Sequence, residues 1–108
     1  MTTFELHDLS AERERTDRLY HEFLRVPAMS AGLYHLKAGG VDPQQPHHED
    51  EAYVVMRGKG KFMMNGEDSD VQAGSVIFAP AHLEHRFHSI TEDMDILVFF
   101  APAESASN

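Results

Sequence analysis

Apolar and polar positions follow two different rhythms along this chain, and the rhythm changes near residue 22. Residues from about Leu9 to Tyr20 are rich in Glu and Arg, open at Ser10, and set Glu14 four positions before Arg18. Serine is a good helix cap and that charge spacing suits one helical face, so a short solvated helix is expected here. From Glu22 onward, short apolar-rich stretches are broken at close intervals by Pro and Gly, the pattern of an all-β sandwich or barrel. Strands are expected over 22–26, 30–37, 52–57, 60–64, 68–71, 75–79, 85–90 and 94–101. Asn65-Gly66 stands between two of them and supplies the two positive-φ residues of a type I′ hairpin turn. Ala38-Gly39-Gly40 and Ala73-Gly74 mark sharp loop entries, and Pro80 interrupts pairing before the last two strands. Eight strands and one short N-terminal helix describe a double-sheet jelly roll whose mouth can hold a ligand. The expected division is a helical arm over 1–21, a β-barrel over 22–101 and a flexible tail over 102–108 as parts of one domain.

Composition narrows the function classes. With 108 residues the chain can bury a core without staples, and with no cysteine it has neither disulfides nor thiolate chemistry. The formal charge of −9 and nine scattered basic residues disfavour nucleic acid and anionic membranes. The N-terminus lacks the basic region and apolar run of a secretory signal, and no stretch reaches the length of a membrane span, so a cytoplasmic protein is expected. No Gly-rich phosphate loop and no Gly-x-Ser-x-Gly elbow occurs. Eight histidines in so short a chain are the compositional oddity.

Five of those histidines flank one candidate site. In Gln45-Pro46-His47-His48-Glu49-Asp50-Glu51, the residues Gln45, His47 and Glu51 share parity, so an extended backbone would turn all three to one face. Glu51 then opens the apolar run Ala52-Tyr53-Val54-Val55-Met56, where an inward carboxylate needs a cation. His85 shares parity with Phe87 and is expected to point inward from a distant strand. Two imidazoles and one carboxylate suit a divalent transition metal with open coordination positions. The competing reading makes His47 and His48 exposed loop residues and Glu49 to Glu51 a solvated acidic run. His48 could ligate only through a bulge, and His82 and His88 read as rim residues or proton shuttles. Tyr53, Phe78 and Phe87 read as core or as pocket wall.

These residues resemble the two motifs of the cupins. The first motif orders a glycine, a His-x-His pair, a glutamate and a second glycine; Gly40, His47, Glu51 and Gly58 answer it. The second is answered by Gly74, Pro80 and His85, with His82 where glycine is usual and Ser89 where asparagine is usual. The resemblance spans roughly residues 30–100 and implies a small barrel with one internal metal. Gln45 stands where the family places its first metal histidine, so the implied ligand set is Gln45, His47, Glu51 and His85, with Gln45 either ligating through its amide oxygen or only lining the site. An oxygen donor there favours iron or manganese over zinc, nickel or copper. One carboxylate against a divalent ion leaves about +1, which favours a small oxygenated, anionic molecule. The expected function is dioxygenase-, isomerase- or cyclase-type chemistry on such a molecule; the alternatives are a non-catalytic binding or regulatory module and a barrel that has lost its metal. The apolar positions of Glu22 to Val26 suggest a strand edge paired across a two-fold axis, hence a homodimer.

Overall fold

The computed structural model describes residues 2–105, and its element order is one helix followed by six strands. The helix α1 spans Leu6–Thr16, earlier than its charge pattern suggests. Ser10 lies inside it; the N-cap is Glu5, and Asp17 ends it at φ 56° in the left-handed region. Asp tolerates that conformation, so the chain turns there and Leu19 and Tyr20 leave for the sheet. Leu9 is the one buried residue of the helix, which otherwise presents polar side chains outward.

The strands are β1 (Tyr20–Val26), β2 (Met29–Leu36), β3 (Asp50–Met64), β4 (Glu67–Gln72), β5 (Val76–Ala79) and β6 (His85–Ala101), all paired antiparallel. They join in the order β1-β2-β6-β3-β4, with β5 on β3. The stretches 52–57 and 60–64 are therefore one strand, and so are 85–90 and 94–101. Gly58-Lys59 and the polar Thr91 to Asp93 fall between the expected strands, yet β3 and β6 continue through them, with register shifts between Val55 and Lys61. Such bulges bend a strand without ending it. Gly58 takes φ +97°, and a Cβ there would collide with the Asp93 carbonyl of the neighbouring strand.

Bending β3 and β6 lets each serve both halves of the barrel. Residues 51–54 of β3 pair with β5 and 59–64 with β4, while 94–100 of β6 pair with β2 and 85–88 with the far end of β3. The expected Asn65-Gly66 hairpin is present, with φ 50° and 84° at its two central residues. Alternate residues of the strands fill the interior. Tyr53, Phe62 and Phe87 meet edge to face with ring centroids 4.8–5.6 Å apart, backed by Met94, Ile96 and Val98. Tyr53 and Phe87 are thus core, whereas Phe78 is 59% exposed on the outer face of β5 and is not part of the cavity beside His47.

Residues 103–105 do not hang free. The amide of Ala103 donates to Pro27 O, that of Glu104 to Ser30 Oγ at 2.9 Å, and that of Ser105 to Glu49 Oε2 at 3.2 Å. Polar backbone groups close to a buried serine and a buried carboxylate take these partners, so the expected flexible tail is tied down through Ser105. The rest of it lies outside the described residues.

Candidate functional site

Glu51 is the centre of the site. It is 1% exposed, at the start of β3, where the apolar alternation buries every second side chain. Its Oε2 accepts the Tyr53 hydroxyl at 2.6 Å, and its Oε1 lies 2.9 Å from Nε2 of His85 and 3.7 Å from Nε2 of His47. An isolated carboxylate in such a place would be costly, and these neighbours offset that cost.

His85 heads β6 and is 3% exposed. Its Nδ1 faces Leu83 O at 2.8 Å, and that carbonyl can only accept, so Nδ1 carries a proton. Nε2 is thereby the nitrogen turned to Glu51. Burial disfavours the charged ring, but the hydrogen bonds to Glu51 and to the Leu83 carbonyl outweigh it and raise the pKa. A backbone carbonyl on Nδ1 with Nε2 free for another partner is also how metal-bound histidines are held.

His47 comes from a loop. The chain is not a strand before Asp50, so the alternation that would align Gln45, His47 and Glu51 does not apply there. The turn at His48 and Glu49 instead brings His47 back toward Glu51, and the amide of His82 donates to His47 O at 2.8 Å to lock the two motif segments together. The other ring nitrogen of His47, Nδ1, lies 3.6 Å from Oε2 of Glu104. Gln45 is exposed and lines the mouth of a cavity of about 500 Å³ that opens beside His47. His48 and His82 are exposed and meet edge to face with centroids 5.2 Å apart, and His88 pairs with Asp68 at 2.8 Å on the outside of the barrel.

Three residues that the sequence pattern did not single out, together with the hydroxyl of Tyr53, complete the surroundings. Asp42 is 4% exposed and takes the Tyr34 hydroxyl at 2.5 Å, the Gln44 amide groups at 2.8 and 3.2 Å, and the Phe87 amide at 2.9 Å. It thereby fastens the 37–49 loop to β6. Gln44, rather than its neighbour, reaches inward, with Oε1 2.8 Å from the Tyr53 hydroxyl. Burial, then the Glu51 charge and hydrogen bond, keep the Tyr53 proton on well above the ordinary phenol range. Glu104 is the third; burial raises its pKa, the His47 charge opposes that, and Glu51, Glu22 and Glu49 add to it. An Asp before Pro is a turn signal, which could have marked Asp42. Gln44 and Glu104 carry no local signature.

Chemically, the donor set fits a divalent ion: two Nε2 atoms and one carboxylate oxygen, each from a different segment, turned to one point in a water-poor setting. Among the described residues, no group of three or more His, Cys, Asp and Glu side chains stands as a ready-made cage. Instead, His85 Nε2 and Glu51 Oε1 lie within hydrogen-bond distance of each other at 2.9 Å. A metal ion held by both groups would take the place of that contact.

Comparison with known proteins agrees with this architecture. A family model described as a cupin domain matches residues 32–100. An uncharacterized protein of Streptomyces coelicolor is 46% identical over 105 residues, which is 97% of this chain and all of that protein. Among solved structures, TT1209 from Thermus thermophilus superposes with a TM-score of 0.76 at 22% identity, covering 95% of this chain and 99% of that one. A cupin 2 conserved barrel domain protein from Rhodopseudomonas palustris gives 0.69 at 19% identity, covering 83% and 68%. KdgF from Halomonas sp. gives 0.70 at 21% identity, covering 77% and 76%.

Proposed function

Because this chain belongs to the cupin domain family, we propose that His47, Glu51 and His85 hold one divalent transition metal, iron or manganese in preference to zinc, nickel or copper, at the inner end of a small-molecule cavity. The observation that carries this reading is the aim of both Nε2 atoms at one buried oxygen of Glu51, with the Nδ1 of His85 already occupied by a carbonyl. Gln45 stands at the cavity mouth and would reach the ion only by turning inward, so it is the fourth, exchangeable donor. Such an ion, when bound, polarises a ligand oxygen and acidifies coordinated water.

The chain's own residues do the rest. Leu83 O fixes the ring of His85. Tyr53 holds one oxygen of Glu51 and leaves the other for the site, Gln44 sits beside the Tyr53 hydroxyl, and Asp42 holds Gln44 and the loop. The barrel core of Phe62 and Phe87 keeps water away from the inner side. We place the function as turnover of a small oxygenated molecule by oxygen insertion, isomerisation or cyclisation. The second reading is binding without turnover, which the closed pairing of His85 with Glu51 favours, because that site is satisfied without substrate.

Electrostatics revise the expected substrate charge. Glu104 stands beside His47 as a second carboxylate, so a divalent ion against Glu51 and Glu104 leaves about zero net charge rather than +1. The preference for an anion falls away.

The test follows oxygen consumption and substrate loss across small diketones, catechols and hydroxy acids, using the full chain supplied with Fe(II) or Mn(II). Metal-dependent loss of at least one compound, abolished in His85→Ala, is expected of an enzyme. Saturable binding with no loss of any compound establishes the binding module instead.

A further inference from the structure

The two imidazoles of the site are held by different means. In His85 a backbone carbonyl occupies Nδ1 and leaves Nε2 for Glu51. Among the described residues no carbonyl does this for His47, whose main-chain oxygen is fixed by His82 while its ring makes no hydrogen bond. A half-turn of an imidazole exchanges each nitrogen for a carbon, so packing by shape alone does not distinguish the two orientations. The edge-to-face contact with Phe100 at 5.1 Å therefore sets the plane of the His47 ring, but not which nitrogen faces Glu51. A polar partner on Nδ1 sets that.

Glu104 stands in that position. Its Oε2 lies 3.6 Å from Nδ1 of His47, an ion-pair distance longer than a hydrogen bond, while Nε2 lies 3.7 Å from Oε1 of Glu51. A carboxylate on Nδ1 is thus behind the ring, apart from the donors turned to Glu51. Among the described residues the Glu104 carboxylate pairs with no other basic group, and the guanidinium of Arg25 goes to Glu22 at 2.8 Å and to the Glu104 main-chain oxygen at 2.5 Å.

Main-chain bonds bring the carboxylate there. The amide of Glu104 donates to Ser30 Oγ at 2.9 Å and that of Ser105 to Glu49 Oε2 at 3.2 Å. Both acceptors belong to buried residues, Ser30 at 0% and Glu49 at 5% exposure, so the segment is anchored to the interior. Glu49 also lies two positions after His47, and one stretch of chain therefore supplies both the imidazole and an anchor for the residue behind it.

We propose that Glu104 is a positioning residue that keeps Nε2 of His47 turned to Glu51, and that residues 103–105 form the strap that delivers it. The effect on ion binding rests on the metal-site reading; the orientation of the ring does not.

The test has two arms, both on the isotope-labelled full chain. In the first, spectra of chelator-treated protein assign the two ring nitrogens of His47, and cross-relaxation from its ring protons Hδ2 and Hε1 to the Phe100 ring reads the orientation. Wild type is expected to give a single pattern. Glu104→Ala, which keeps every main-chain bond of the strap, is expected to give a mixed pattern in which both protons contact Phe100 alike. Glu104→Gln keeps an acceptor oxygen and is expected to restore the wild-type pattern. Glu104→Asp, which withdraws the carboxylate by one carbon, is expected to mix as well, and it decides the point if the alanine variant loses its amide dispersion. In the second arm, Mn(II) is titrated and the free ion is followed by electron paramagnetic resonance. Glu104→Ala is expected to bind it about 10-fold more weakly than wild type, with Glu104→Gln between the two. A His47 ring that keeps the wild-type pattern without the Glu104 carboxylate in reach overturns the proposal, whatever the affinity. Failure of wild type to bind Mn(II) overturns the metal reading alone, because the chelator-treated spectra still decide this one.

Discussion

At the scale of single residues, the protein stabilises buried charge by pairing each group with donors of known geometry. Asp95 shows the pattern away from the site. It receives His35 Nδ1 at 2.7 Å and Arg57 Nε at 2.6 Å. Burial alone would raise its pKa, yet the hydrogen bonds from His35 and Arg57 and the Arg57 charge outweigh burial and hold it below the ordinary carboxylate range. The unfolded chain therefore takes up this proton more readily than the folded one, so the stabilisation is complete above the ordinary range and is lost as pH falls through the lowered value. Urea unfolding of wild type and Asp95→Asn is expected to show a stability gap at neutral pH that closes as pH drops below about 4. A gap that stays constant across that window contradicts the assignment. In the sequence, His47, Glu51 and His85 stand out through their parity, their apolar neighbours and their resemblance to the cupin motifs. Asp42, Gln44 and Glu104 do not stand out in this way. The Asp42-Pro43 turn signal marks a loop but not its partner, because Asp42 accepts from Phe87, 45 positions away.

Elements are legible where the backbone chemistry is local and illegible where it depends on a neighbour strand. The Asn65-Gly66 hairpin needs nothing beyond its own two residues. The long strands β3 and β6 each read as two in the sequence because Gly58-Lys59 and the polar Thr91 to Asp93 look like breaks, whereas pairing continues along both strands with register shifts between Val55 and Lys61. The helix lies earlier than expected for a similar reason, since Asp17 ends it before the apolar Leu19 and Tyr20. His47 shows the limit of parity arguments: its convergence on Glu51 comes from a turn, not from alternation. Gly58 provides the element-scale prediction. Gly58→Ala places a side chain at φ +97° against the Asp93 carbonyl, and the left-handed backbone alone costs about 1–2 kcal/mol. Chemical denaturation should show at least that loss, and an unchanged midpoint would mean that the bulge is not as described.

For the whole molecule, the open question is how its exposed edges and faces are covered. β1 is one edge strand of the sheet, with Val26 at its end 44% exposed. Pairing of β1 with its symmetry mate would satisfy that edge, so light scattering is expected to give twice the chain mass of 12.2 kDa; the mass of a single chain contradicts a homodimer. No helix among the described residues is long and apolar enough to cross a membrane. The fold class and the barrel are readable as a whole because strand rhythm and two spaced motifs agree. The electrostatic balance of the cavity is not, since it turns on Glu104, a residue that reaches His47 only because Ser30 and Arg25 hold its backbone.

Whether two imidazoles and a buried carboxylate bind an ion here is read out by elemental analysis. The full chain, purified without a histidine tag and equilibrated with Fe(II) or Mn(II), is expected to retain about one ion per chain after gel filtration, and His85→Ala to retain almost none. Wild-type protein that emerges metal-free, or a His85→Ala variant that keeps its ion, contradicts the account.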